Sequence, residues 1–315
     1  MKIIVLLAAT TRGGIDFLQS LLDKHTQVLQ LPGKFYVDEF LKKIENDKNN
    51  NLQIAKLFIE LNKEFFDSRL NLVERHDKLG IDKNEFYKVN EKIFADSFIE
   101  MSGNKILSKK DVIVNIHLAY SKASGENLEK KKLLILQIHH LFRINSIEDL
   151  DFEILCTIRD PIASHSSYVK NLSVFHEKNI NPWQHQYHIE RNFSHLIELI
   201  KYRKKITVIK LERLHKNNYD VMKNLCSKYN INFENSLQNS TFQGKLWWGD
   251  QVSKKDLNGV NKNFENKIHY NVFFSNDIII IEHFLENFIK SYKYVFTTNE
   301  KKMIGIRKYL PFKSE

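Results

Sequence analysis

Residues 2–25 read Lys2-Ile3-Ile4-Val5-Leu6-Leu7-Ala8-Ala9-Thr10-Thr11-Arg12-Gly13-Gly14-Ile15-Asp16-Phe17-Leu18-Gln19-Ser20-Leu21-Leu22-Asp23-Lys24-His25. Lys2 to Ala9 is a short apolar run rich in β-branched side chains, bounded by Thr10-Thr11-Arg12-Gly13-Gly14. That is the pattern of a fully buried strand ending in a tight loop. From Ile15 to His25, the residues Ile15, Leu18, Leu21, Leu22 and His25 fall at helical spacing. The spacing predicts a helix with Asp16, Gln19, Asp23 and Lys24 on its outer face. A buried strand feeding a helix through a Gly-Gly loop builds an anion site. Glycine lets the backbone approach a phosphate, and the first helical N–H groups lack partners at the positive end of the helix dipole. Arg12 adds a full positive charge at the same place.

Outward from this stretch, a short strand or an extended segment is expected at Gln27–Leu31 (ended by Pro32-Gly33), and further strands at Lys132–His139, Phe152–Ile158 and Lys205–Leu211. Helices are expected from Pro161 through Lys170, over residues 182–201, from Tyr219 to Tyr229 and from Ile278 to Lys290. Pro161 suits a first helical turn because its missing N–H would have had no partner there. Asp111–Leu118 fits either a strand or the start of a helix, and residues 240–270 read as a loop. The alternation predicts a three-layer α/β fold with a mostly parallel central sheet, a P-loop-like strand–loop–helix start, and ligands at the strands' carboxyl ends. Residues 1–315 read as one domain, with 35–125 as a mainly helical insertion. The insertion carries no chemical motif. It either packs on the sheet or shapes a substrate pocket.

A chain of 315 residues that is 42% hydrophobic and 27% charged is an ordinary globular protein with room for a large core. Its formal net charge of +10 suits acidic partners: nucleotides, sulfated or phosphorylated compounds, nucleic acid or an anionic membrane. Cys156 and Cys226 are the two cysteines, which excludes a disulfide framework and paired-cysteine metal sites; a reducing, cytoplasmic setting with no metal is expected. Lys2 before an apolar run imitates a signal peptide, but the run is short and leads into Arg12-Gly13-Gly14. No membrane span is expected, since Asp277–Glu282 is far too short to cross a bilayer. The Asn46–Asn51 run reflects compositional bias.

Three strand ends carry chemistry. The first holds Arg12-Gly13-Gly14, the second His139-His140, and the third Arg159 followed by Ser164, Ser166 and Ser167. Arginine gives bidentate charge-assisted bonds to a phosphate and a serine hydroxyl adds another, so Arg159 begins a second anion site. Two anion sites on one sheet point to a nucleotide with phosphates at both ends of its ribose.

In that order the motifs resemble sulfotransferases that use 3′-phosphoadenosine 5′-phosphosulfate (PAPS). Thr11 to His25 is similar to their opening loop and helix, including the Leu21-Leu22-Asp23-Lys24-His25 ending. Arg159-Asp160-Pro161 with Ser167 eight residues after the arginine resembles their second motif, and Lys210-Leu211-Glu212-Arg213-Leu214 a later strand end. The resemblance implies that Gly13, Gly14, Ile15, Asp16 and Phe17 hold the 5′-phosphosulfate through backbone N–H groups. Arg12 would counter charge on the leaving oxygen, and Arg159 and Ser167 would bind the 3′-phosphate. His139 and His140 stand where one branch of the family places a base; strand alternation favours His139. The implied product is adenosine 3′,5′-bisphosphate. The acceptor would be a small molecule with a hydroxyl or amine, and the Arg-Asp-Pro form is closer to carbohydrate-type members. The chain departs from the family at Gly13, Ile15 and Asp16, where hydroxyl residues are usual, and in lacking the late glycine-rich phosphate loop. Gly244-Lys245-Leu246-Trp247-Trp248-Gly249-Asp250, with Lys254-Lys255 beyond, would stand in for that loop. Thr241, Phe242 or a tryptophan would stack on adenine and Lys245 would contact phosphate, although Trp247 and Trp248 also suit a purely structural role.

A P-loop kinase or nucleotide hydrolase is the competing enzyme, but no Gly-Lys-Ser/Thr lies in the first loop. A basic nucleic-acid-binding protein is the non-enzymatic alternative. Its charge is spread out and no recognised module is present, so nucleic acid is not the expected partner.

Overall fold

Strand β1 (Lys2–Ala8) is flanked on both sides by strands from far along the chain. With β2 (Val28–Gln30), β3 (Leu133–His139), β4 (Phe152–Ile158) and β5 (Ile206–Lys210) it forms a five-stranded sheet of order β2-β3-β1-β4-β5. Every neighbouring pair is parallel. The computed structural model describes residues 1–9, 12–47, 50–176, 205–251, 259–273 and 277–297. The expectations for Thr10, Thr11, the helix over 182–201 and Lys254-Lys255 lie outside the described residues. Ile4, Val5, Leu6 and Leu7 are completely buried, as a central strand covered on both faces requires. Each such side chain contributes about 1.5–3 kcal/mol on burial.

Helices cover the sheet: α1 (Ile15–Leu21), α2 (Val37–Asp47), α3 (Asn51–Leu61), α4 (Lys63–Phe66), α5 (Glu91–Ser102), α6 (Lys109–Ala123), α7 (Pro161–His176), α8 (Leu211–Lys216), α9 (Asn218–Tyr229), α10 (Asp277–Phe284) and α11 (Glu286–Ser291). The Asp111–Leu118 stretch is helical, because Ser108 and Asp111 form a capping box at the start of α6. The expected C-terminal helix is two short ones broken at Leu285. Within 240–270 the expected loop contains a hairpin, β6 (Thr241–Phe242) with β7 (Lys245–Leu246), turned by Gln243 and Gly244 in left-handed conformations.

Helix α1 ends at Leu21 rather than at His25, and Lys24 adopts a left-handed conformation. Its expected outer face is also partly wrong. Gln19 is buried, donating to the Leu31 carbonyl at 2.8 Å. Asp23 is buried too, accepting from Thr241 Oγ1 at 2.9 Å and the Gly244 N–H at 2.7 Å. The β6–β7 hairpin covers the side of α1 that a lone helix would turn to water.

Between β2 and β3, the helices α2 to α6 surround an aromatic cluster centred on Phe58, with Phe94 at 5.2 Å and Phe35 at 5.3 Å between ring centroids. These residues and the sheet's buried side chains form one continuous core. Among the described residues no helix is long and apolar enough to cross a membrane.

The topology fixes where a ligand fits. The chain leaves β1 for β2 on the β3 side, and leaves β4 for β5 on the opposite side. The two connections therefore diverge between the carboxyl ends of β1 and β4. In open α/β sheets this switch point is the crevice that binds ligands.

Candidate active site

Two loops meet at that crevice. In the first, Arg12 and Gly14 both take left-handed conformations, with φ of 56° and 83°. Gly14 is required twice over: it has the glycine-type φ, and a Cβ there would sit 2.3 Å from Leu211 Cδ1. Its carbonyl accepts from Leu18 N–H at 3.0 Å, starting α1, and no side chain caps the helix. Gly13 and Ile15 are buried, and Phe17 is buried with its ring stacked on His215 at 4.3 Å. The Arg12 guanidinium bonds to Asp250, Nη1 to Oδ2 at 2.5 Å and Nη2 to Oδ1 at 3.4 Å.

The second loop holds Arg159-Asp160. Asp160 caps α7 by accepting from Ala163 N–H at 2.8 Å, and its own N–H donates to Glu212 Oε1 at 3.0 Å. Arg159 Nε donates to Asn266 Oδ1 at 3.1 Å, and Asn266 in turn donates to Glu212 at 2.6 Å. Burial pulls the Arg159 pKa down, opposed by Glu212 and reinforced by the positive charge of Arg12. The two arginines are therefore within electrostatic reach of one another. Residues 259–273 fold over this end: Phe264 stacks on His215 at 4.5 Å, and the His269 N–H donates to Ser166 Oγ at 3.2 Å. Ser167 is half-buried on α7.

A third group gathers where β2 and β3 end. Gln137 Nε2 donates to Asp16 Oδ1 at 2.6 Å, and Lys34 Nζ pairs with Glu74 Oε1 at 2.9 Å. Burial alone would raise the Asp16 pKa, but Lys34, His139, the Gln137 bond and Arg12 outweigh it and hold it below its ordinary value. Glu74 goes the other way. Burial, reinforced by Asp16 and Asp250 and opposed by Lys34, raises it to about 7. Its Oε2 is buried and has no hydrogen-bond partner among the described residues. Burial lowers His76, two residues on, to about 3, so its ring is neutral.

Simple strand alternation does not select His139 over His140. The pairing of β1 with β3 slips between Leu6 and Leu7, leaving Ile138 as an extra residue, and His139 has a φ of 62°. The bulge resets which side each ring takes. His139 comes within electrostatic reach of Asp16, whereas His140 stacks on the half-exposed Phe142 at 5.5 Å. His117 is buried in α6, close to Ile113 O at 2.7 Å.

The structure thus brings together Arg12, Gly13, Gly14, Asp16, His139 and Arg159. It places Thr241, Phe242 and Lys245 elsewhere, at the far end of α1. Thr241 is bound to Asp23, and Lys245 pairs with Glu85 at 2.5 Å. Phe242 is 2% exposed between His76 and Trp247, so the expected base stacking has no open ring face to use. Residues 259–273, rather than the hairpin, cover Arg159. Trp247 and Trp248 are structural, their indole N–H groups donating to the carbonyls of Glu74 and Gly80, each at 2.6 Å. Sequence reasoning missed Lys34, Glu74, Gln137, Asn266 and the Arg12–Asp250 pair. Lys34 alone carried a signal, following Pro32-Gly33 at a strand's carboxyl end.

No family model matches the chain, and no curated protein matches its sequence. Among the solved structures similar in fold are three sulfotransferases. The sulfotransferase domain from the curacin biosynthetic pathway is 15% identical, over 94% of this chain and 99% of that one, with a TM-score of 0.47. The sulfotransferase domain from the Synechococcus PCC 7002 olefin synthase is 11% identical over 90% and 94%, with a TM-score of 0.46. The sulfotransferase STF9 from Mycobacterium avium is 10% identical over 94% and 77%, with a TM-score of 0.48. Likeness at this level leaves the functional reading to rest on the site itself.

Proposed function

We propose that the chain is a sulfotransferase that moves the sulfuryl group of PAPS to a hydroxyl or amine acceptor, a carbohydrate hydroxyl first among them, and releases adenosine 3′,5′-bisphosphate. The observation that carries this reading is the convergence of Arg12 and Arg159 from the two loops that diverge at the switch point. One guanidinium alone marks any anion. Two, on adjacent strand ends, suit a ligand with two separated anionic groups, and the motif resemblance supplies its identity.

The donor brings an activated sulfuryl group whose transfer needs in-line positioning and charge neutralisation more than covalent catalysis. Backbone N–H groups of Gly13 to Phe17 and the Arg12 guanidinium would hold the phosphosulfate end. Arg159, with Ser167 on the following helix, would hold the 3′-phosphate. Asp16 puts a negative charge in this loop, but its carboxylate is bonded to Gln137 and balanced by Lys34 on the β3 side. His139, within electrostatic reach of that carboxylate, is the proposed acceptor of the hydroxyl proton, with His140 as the alternative. The helices of 35–125 would shape the acceptor pocket.

Titration calorimetry with adenosine 3′,5′-bisphosphate against ATP tests the reading. The bisphosphate should bind tighter without a divalent metal. Arg159→Ala should weaken it by about ten- to a hundredfold, the range expected for losing a charge-assisted bond. Preference for ATP overturns the proposal.

A further inference from the structure

Asp250 already occupies the guanidinium that the donor would need. Its carboxylate takes both terminal nitrogens of Arg12 across 238 positions of chain. The two side chains are only 23% and 15% exposed, so solvent does little to weaken the pair. Asp250 is also held in place from both sides. Trp247 and Trp248 are tied by their indole N–H groups to Glu74 and Gly80, and the Gln251 N–H donates to Val73 O at 2.9 Å. Gly249, with a φ of 87°, turns the chain between these anchors. Segment 247–251 thus presents one fixed carboxylate to Arg12, as a bound phosphate would present its oxygens. It does so in a place already rich in negative charge, since Asp16 and Asp250 both act on Glu74.

We propose that Asp250 is an internal competitor for the donor at Arg12, releasing the guanidinium only to a multiply charged anion that is also anchored at Arg159. The identity of that anion rests on the sulfotransferase reading; the competition does not. A lone inorganic anion offers Arg12 no more than Asp250 does and must be captured from solution, whereas Asp250 is already tethered. A ligand held at Arg159 reaches Arg12 at high effective concentration and meets the competitor on equal terms. Asp250 thereby selects for ligands that span both strand ends.

The test is calorimetry on the full chain with adenosine 3′,5′-bisphosphate and, separately, inorganic pyrophosphate. It compares wild type, Asp250→Asn, Asp250→Ala, Arg12→Ala and the double variant Asp250→Asn/Arg12→Ala, the last read against Arg12→Ala, with thermal melts to verify folding. Asp250→Asn should bind the bisphosphate about tenfold tighter, the scale of one charge-assisted bond removed from competition. The gain should shrink at high salt and vanish in the double variant. Unchanged or weaker binding by folded Asp250→Asn and Asp250→Ala overturns the proposal, because Asp250 would then be orienting Arg12 for its ligand. If the bisphosphate binds no variant while pyrophosphate gains in Asp250→Asn, the competition stands and the donor reading falls. If neither ligand responds to the substitution, the competition falls.

Discussion

Glu74 keeps its proton to about pH 7, whereas the ordinary value for its side chain is 4.5. Its pKa is raised in the folded state, so the stability linked to its proton is fully present below 4.5 and is lost as pH rises through about 7. Across that window wild type should lose up to roughly 3 kcal/mol relative to Glu74→Gln, which carries no titrating group there. Urea unfolding of both proteins from pH 4.5 to 8 measures it; a flat difference would remove Glu74 from the charged cluster. At this scale the sequence was readable where a residue followed a strong strand, as Arg12 and Arg159 do. Glu74 and Asp250 lie in irregular segments whose partners are far off in sequence, so no local pattern marks them.

Helix α1 depends on a single backbone conformation. Gly14→Ala would force a left-handed alanine and push its methyl into Leu211. We expect a loss of about 2–5 kcal/mol, the sum of the left-handed penalty and overpacking, seen as a lower urea midpoint together with weakened bisphosphate binding. A stable, fully binding variant would show that Leu211 and the loop yield freely. Strands and helices themselves were legible from periodicity, with boundaries shifted by a few residues. The bulge at Ile138 was not, because it arises from how β3 pairs with β1 rather than from anything within β3. Nor was the burial of Gln19 and Asp23, since helical periodicity does not record a hairpin arriving from residues 241–246.

Over the whole molecule, the aromatic cluster of the helical insertion and the apolar face of the sheet are continuous. Unfolding should therefore be one transition, with far-ultraviolet and near-ultraviolet signals coinciding. Phe58→Ala should cost about 3–5 kcal/mol and move both signals together. Two separated transitions would make residues 35–125 an independent unit. The α/β class was legible because strand–helix alternation leaves few other solutions; what covers the sheet's carboxyl edge was not, since residues 259–273 have no periodicity of their own. The order of the strands carries a last consequence. Arg12 and Arg159 are borne by hydrogen-bonded neighbours, β1 and β4, whose backbones lie about 4.8 Å apart by the geometry of any sheet. The gap between the two guanidinium-bearing loops is thus gauged by the sheet like the jaws of a calliper. Changing a loop residue can alter how tightly the jaws grip, but their setting is fixed by the ladder beneath them.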